Sequence, residues 1–196
     1  MSKELKLVSP ICPTVNHYMN YRVIRQGKRN VVLPYPSTET KEYKKKFIPY
    51  VQNEVKQQGW EMDYTGLQHY YVDWVVYFDR IDRDAANLDK VLIDSITEAK
   101  CVWVDDNVVC NRVKHIYYDA MNPRIELTIH AVDYIGIFDN QEQLDMFENK
   151  CKTCSRYSRN CSILKNAKTG RIQEEINDLV CGAYKEKKAK KAKEEK

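Results

Sequence analysis

The chain contains no run of 18 apolar residues, so no membrane-spanning helix is expected. Its opening stretch, MSKELKLVSP, has no apolar core of signal-peptide length, and a cytoplasmic protein is expected. That setting argues against a disulfide framework for the seven cysteines. Histidine is scarce, and His17, His69, His115 and His130 are too dispersed to propose as metal ligands. No internal repeat is visible, which excludes a solenoid or propeller array.

What is present suits a soluble globular chain. At 196 residues, 43% hydrophobic and 31% charged, one domain plus a small appendage is expected. The net charge of +4 conceals an asymmetry. Residues 148–196 hold 14 Lys+Arg against 7 Asp+Glu, a net of +7, which leaves −3 for the rest. A near-neutral body with a basic tail suits a protein that meets a polyanion, and equally a solvated Lys-rich tail.

Periodicity predicts a β-α-β-α-β-β order: α+β, with helices packed on a small mixed sheet. ELKLVS (4–9) reads as a first strand, and PICPTVNHYMNY as a loop, with a turn at 28–30. Ser37 or Thr38 caps a helix with Tyr43, Phe47, Val51 and Val55 on one face. Pro49 should kink or break that helix, and Gly59 should end it. Residues 69–79 read as a buried strand, and 110–119 and 124–134 as an antiparallel hairpin.

The most informative stretch runs from Arg80 to Asn107, RIDRDAANLDKVLIDSITEAKCVWVDDN. Leu88, Val91, Leu92, Ser95, Ile96 and Ala99 share one helix face, while Asn87, Lys90 and Asp94 align on another side. Asp84 precedes the helix, and Asp105 and Asp106 follow it. Carboxylates converging from both ends could hold a hard divalent cation, with Lys90 on a phosphate oxygen. The same spacing also fits a helix-capping acid, a surface turn and a solvated lysine.

The residues RDAANLDK followed by VDDNVV resemble the RusA family of Holliday-junction resolvases. The similar positions are Arg83, Asp84, Asn87, Leu88 and Lys90, then Trp103, Asp105, Asp106, Val108 and Val109. The early PTVNHY (Pro13 to Tyr18) is similar to that family's loop, and the likeness spans about residues 5–134. The resemblance implies a RusA-like fold and a Mg²⁺- or Mn²⁺-dependent endonuclease. Such an enzyme acts as a homodimer on four-way DNA junctions during recombination and repair, in a bacterial or phage-infected cell. By that resemblance Asp84 and Asp106, with Asp105 less directly, are metal-binding carboxylates. Lys90 is then the essential lysine, and Asn87 supports the site. Asn16, His17, Tyr18, Arg80 and Arg83 are candidate DNA contacts. One position departs from the pattern: Ala86 stands where the family has a second Asp. Two explanations follow. The sequence is a deliberately inactivated form of an active nuclease, or a variant in which Asp89 or Asp105 compensates or which only binds junctions.

Toward the C-terminus, Cys151, Cys154, Cys161 and Cys181 form a C-x2-C-x6-C-x19-C series. Four thiolates suit a tetrahedral structural Zn²⁺ site, with an iron–sulfur cluster as the alternative. Arg156 and Arg159 interleave with the knuckle and are further candidates for phosphate contact. The expected boundaries are a nuclease domain over 1–135, a linker or helix over 136–147, a metal module over 148–184 and a disordered basic tail over 185–196. GRIQEEINDLVC reads as a helix, and Cys12, Cys101 and Cys110 as buried thiols.

Overall fold

The computed structural model describes residues 4–187 and divides the chain into two compact units, 1–131 and 132–196. The first unit is mixed α+β. Its elements are β1 (Glu4–Pro10), α1 (Val15–Tyr18), β2 (Met19–Gln26), β3 (Arg29–Pro36), α2 (Thr38–Gln58), β4 (Tyr70–Phe78), α3 (Asp89–Glu98), β5 (Val109–Tyr118) and β6 (Arg124–Ala131). No helix among the described residues is long and apolar enough to cross a membrane.

The main sheet has the order β1-β6-β4-β5. β6 is antiparallel to β1 and to β4, whereas β4 and β5 run parallel. Parallel neighbours need a crossover, and α3 supplies it. Alternate residues of β4 are buried, namely Tyr70, Val72, Trp74, Val76 and Phe78, and they meet Ile125, Leu127 and Ile129 of β6 in one core. The α2 residues Tyr43, Phe47, Val51 and Val55 and the α3 residues Val91, Leu92 and Ile96 join that core. The sheet thus buries one face under helices and leaves the other half-exposed.

The expected β5–β6 hairpin does not form. The two strands flank β4 instead, and Asp119–Pro123 steps across the end of β4, with the Asp119 N–H donating to Phe78 O at 2.7 Å. Burial decides the order. β4 and β6 each alternate between core and open face, as inner strands do, while the second half of β5 is exposed throughout and takes the edge.

Two further expectations change. The expected loop over 10–21 gives way to strand from Met19, and residues 19–36 form a hairpin around the expected turn, in full register from Met19↔Pro36 to Gln26↔Arg29. Its turn is Gly27–Lys28, with Gly27 at φ +64°, the sign a type II′ turn requires at its first central residue. Pro49 does not break α2, which runs on to Gln58. Pro49 is exposed, so the carbonyl it leaves unpaired faces water, and the buried residues on the opposite face hold the helix together. Ser37 does cap α2, accepting from Thr40 N at 3.2 Å, and Gly59 ends it at φ +65°. Cys12 is buried, but Cys101 and Cys110 are only half-buried.

The second unit holds α4 (Gln141–Lys152), α5 (Ile163–Lys168), β7 (Ile176–Asn177) and β8 (Val180–Cys181). Its small core is Phe138, Leu144, Phe147 and Ala167. Residues 136–147 therefore supply core and helix rather than a linker. Gly136 cannot carry a side chain, because a Cβ there would lie 2.0 Å from Ala167 O. GRIQEEINDLVC is not a helix. Asp178 and Leu179 both adopt positive φ, and this two-residue turn folds the stretch into the short β7–β8 hairpin that carries Cys181. Of the expected tail, Lys185 to Lys187 are tied back by Ser155 N to Lys185 O at 2.7 Å and Lys187 N to Thr153 O at 3.1 Å. Residues 188–196 lie outside the described residues.

Candidate functional site

Strand β4 delivers the chain to Asp79, and the next ten residues build the site. Arg80 Nε lies 2.8 Å from Asp82 Oδ1, and Arg83 Nε 2.9 Å from Asp79 Oδ1, so both guanidinium groups already face a local carboxylate. Asp84 caps a 3-10 turn over Ala85–Leu88. Its Oδ1 accepts from Ala86 N at 2.9 Å, and its Oδ2 from Asn87 Nδ2 at 3.4 Å. Ala85 and Leu88 are buried and pin the turn, while Ala86 points outward and is exposed. A cavity of about 280 Å³ opens here, lined by His17, Glu39, Arg80, Arg83, Asp84 and Asn87 among others.

One turn further along α3, Lys90 Nζ donates to Asp94 Oδ1 at 2.6 Å. The other oxygen of Asp94 accepts from Tyr18 Oη at 2.8 Å. The Asp94 hydrogen bond, reinforced by Asp94 and Asp106 as nearby negative charges, raises the pKa of Lys90 despite some burial. Lys90 is accordingly a standing cation, suited to an anionic oxygen and unsuited to take up a proton. Asp89 shows the complementary effect. Burial raises its pKa first, Asp94 and Asp106 add to the rise, and Lys90 and the Asn111 hydrogen bond oppose it. Asn111 of β5 donates to Asp89 Oδ1 at 2.7 Å, joining the two ends of the crossover.

Two tryptophans hold the far end of the stretch. Trp103 is 1% exposed and donates from Nε1 to Thr97 Oγ1 at 2.8 Å, and Trp60 Nε1 donates to Val102 O at 3.1 Å. With Val102 and Trp103 locked in the core, Asp105 and Asp106 emerge at the surface. Asp105 caps the turn, accepting from Asn107 N at 3.0 Å, and half-buried Asp106 is the member of the pair that acts on Asp89 and Lys90.

The acids therefore fall into two groups. Asp84 and Asn87 line the cavity with His17, Arg80 and Arg83, while Asp106 joins Asp89, Lys90 and Asp94. Asn16 is exposed, and Tyr18 is committed to Asp94. Among the described residues no three His, Cys, Asp or Glu side chains converge as metal ligands do. With Ala86 in the sequence, the donor set present does not fit the carboxylate centre that the resemblance implies. Sequence reasoning read Glu39 only as a first-turn acid of α2, which it is, and assigned no role to Asn111 or to the acceptor function of Asp94. The Lys90–Asp94 spacing of four was a readable signal, whereas a tertiary partner such as Asn111 leaves none.

In the second unit, Cys151 closes α4, half-buried Cys161 precedes α5, and Cys181 lies on β8. Burial, followed by the neighbouring Cys181, Cys161 and Cys154, pushes the Cys151 thiol up to about 11. Cys154 Sγ accepts from Lys185 N at 3.4 Å, and that bond heads the causes that lower its pKa. Arg156 is half-buried and Arg159 exposed on the intervening segment.

No family model matches this chain, and no curated protein matches it.

Proposed function

We propose that the first unit is a RusA-like, junction-directed DNA-binding protein carrying the frame of an endodeoxyribonuclease centre, left incomplete by Ala86. The observation that carries this reading is the setting of Lys90. It is a charged ammonium ordered by Asp94, with Asp106 from the far end of the crossover acting on it. A cation so ordered takes a phosphodiester oxygen, and acids beside it are what a hydrolytic centre needs. Arg83 and Arg80 flank the neighbouring turn as further candidate phosphate contacts, each first held by a local carboxylate. In this reading the complete centre uses Mg²⁺ or Mn²⁺ and the protein works as a homodimer on four-way junctions, in recombination and repair in the cytoplasm. With alanine at position 86 we derive no metal-dependent step.

The test is the reversal of that residue. Ala86→Asp is expected to cut an end-labelled four-way junction in Mg²⁺ or Mn²⁺, while the sequence as it stands binds the junction without cutting. If the Ala86→Asp protein binds junctions yet leaves them whole across both metal titrations, the nuclease reading falls. The chain is then a non-catalytic junction-binding protein.

For the second unit we propose one structural Zn²⁺ held by Cys151, Cys154, Cys161 and Cys181, with an iron–sulfur cluster as the alternative. The four thiols are not gathered as a ligand set among the described residues, so the support is chemical: soft thiols suit zinc, Cys154, Cys161 and Cys181 all act on Cys151, and the backbone N–H on Cys154 Sγ is the kind of outer partner a bound thiolate has. Four buried side chains, with partly buried neighbours such as Ile135, Leu164 and Ile176 packed on them, make a small core, and a metal would add cohesion to it.

A further inference from the structure

The β2–β3 hairpin has no counterpart in the site described above. A two-stranded hairpin is marginally stable by itself, so one kept exposed on both faces invites a functional explanation. Tyr21, Val23 and Val32 are 70%, 66% and 59% exposed. The register sets Val23 opposite Val32, and the alternation along a strand puts Tyr21 on the same face. The hairpin also carries Arg22, Arg25, Lys28 and Arg29 and not one acid between residues 19 and 36. Among the described residues no carboxylate pairs with any of the four. Arg22 lies over the Tyr35 ring at 5.8 Å, and Arg25 Nε donates only to Gly27 O within its own turn.

The root of this hairpin is tied to Lys90. Tyr18 O accepts from Ser37 N at 3.0 Å and from Thr40 Oγ1 at 3.1 Å, which closes the base. The hydroxyl of the same tyrosine donates to Asp94, the partner of Lys90. Eight residues per strand reach roughly 26 Å outward from that root. A two-stranded ribbon is of a width that the DNA major groove admits.

We propose that the β2–β3 hairpin is a duplex-DNA arm that enters a groove next to the Lys90 centre, its cations on phosphates and its Tyr21–Val23–Val32 face against the groove wall. This rests on the DNA-binding reading given above. The occupant is committed by charge: four cations with no carboxylate partner among the described residues match a polyanion, and the apolar face matches sugar and base edges rather than bulk water.

The experiment is a salt titration of the full chain on a labelled four-way junction and on a linear duplex of one arm's sequence. Combining Arg25→Gln, Lys28→Gln and Arg29→Gln is expected to reduce the slope of log K against log salt by about 2.7, from about 0.9 per phosphate contact. The charge-conserving set Arg25→Lys, Lys28→Arg and Arg29→Lys should keep the wild-type slope. Val23→Asp should weaken binding to both DNAs at least tenfold without altering the melting temperature. If wild type binds DNA and the glutamine set keeps its slope, the arm is overturned while the DNA-binding reading stands. If wild type binds neither DNA, both fall together.

Discussion

The Tyr18–Asp94 hydrogen bond joins the hairpin root to the candidate centre, and Tyr18→Phe tests whether it matters. The variant keeps the ring and removes the donor. A hydrogen bond to a charged acceptor contributes about 1.5–3 kcal/mol. The Asp94 side chain is only 15% exposed, so water replaces the lost donor poorly, whereas Lys90 still satisfies its other oxygen. The lower end of that range applies, about 1.5 kcal/mol, and for a chain of this length it lowers the melting temperature by roughly 3–6 °C. Asp94→Asn retains an acceptor for Tyr18 but weakens the hold on Lys90. A double-mutant cycle of the two changes should therefore show a coupling of about 1 kcal/mol. The Tyr18 pKa is raised by burial first and then by Asp94, with Lys44 opposing. The folded state thus holds the phenolic proton more tightly than the unfolded chain. The tyrosine's contribution is complete below the ordinary value near about 10 and is lost as pH rises through the folded one. The stability gap between wild type and Tyr18→Phe should accordingly narrow above that pH in thermal melts. Strictly additive single changes, or a gap that widens in alkali, would refute the link.

Two other outcomes follow from the electrostatics and the thiols. Asp89→Asn should raise the melting temperature at neutral pH, since the raised pKa means the carboxylate is disfavoured when charged in the fold; the gain should vanish as pH falls below the ordinary carboxyl range, and an equal gain at all pH values would contradict it. Native mass spectrometry and elemental analysis should find one zinc per chain, lost in Cys154→Ser and accompanied by a lower melting temperature; metal-free wild-type protein with an unchanged melt in chelator would sink the zinc proposal.

The parts of the fold that were legible carry local signals. Ser37, Gly59 and the Tyr43–Phe47–Val51–Val55 spacing delimit α2 because capping and periodicity act within one helix. β4 could be read from its β-branched and aromatic residues, a local signal too, whereas its burial on alternate positions shows one covered face rather than a strand buried on both. The β2–β3 hairpin was hidden because its first residues, Met19 to Tyr21, read as the end of a proline-bearing loop, and because Pro34 and Pro36 are unusual strand residues, tolerated where the strand has no sheet neighbour other than β2. Strand order was hidden more deeply. A five-residue connection suggests adjacent strands, and only the competition of β4, β5 and β6 for the covered face decides otherwise. At the site, the row Asn87–Lys90–Asp94 was legible from helical spacing, and the Asp94 bond to Tyr18 was not, because it joins residues 76 apart.

Position 86 draws its importance from where the two acidic groups stop. Asp84 belongs to the cavity side of the 3-10 turn, bound to Ala86 N and Asn87 Nδ2. Asp106 acts on the other side, on Asp89 and Lys90. Ala86 is exposed on the turn, two residues after Asp84 and three and four before Asp89 and Lys90 in sequence. The backbone asks nothing of this residue that aspartate could not supply, since its N–H already serves Asp84 and its Cβ faces water. An acid at 86 would sit in the first turn before α3, where the helix dipole favours it by about 0.3–1 kcal/mol, against a comparable repulsion from Asp89. Folding is therefore nearly indifferent to the choice between alanine and aspartate. Under the proposed nuclease reading, what the choice would change is whether Asp84 and Asp106 remain separate acids or gain a third carboxylate able to draw them onto one ion.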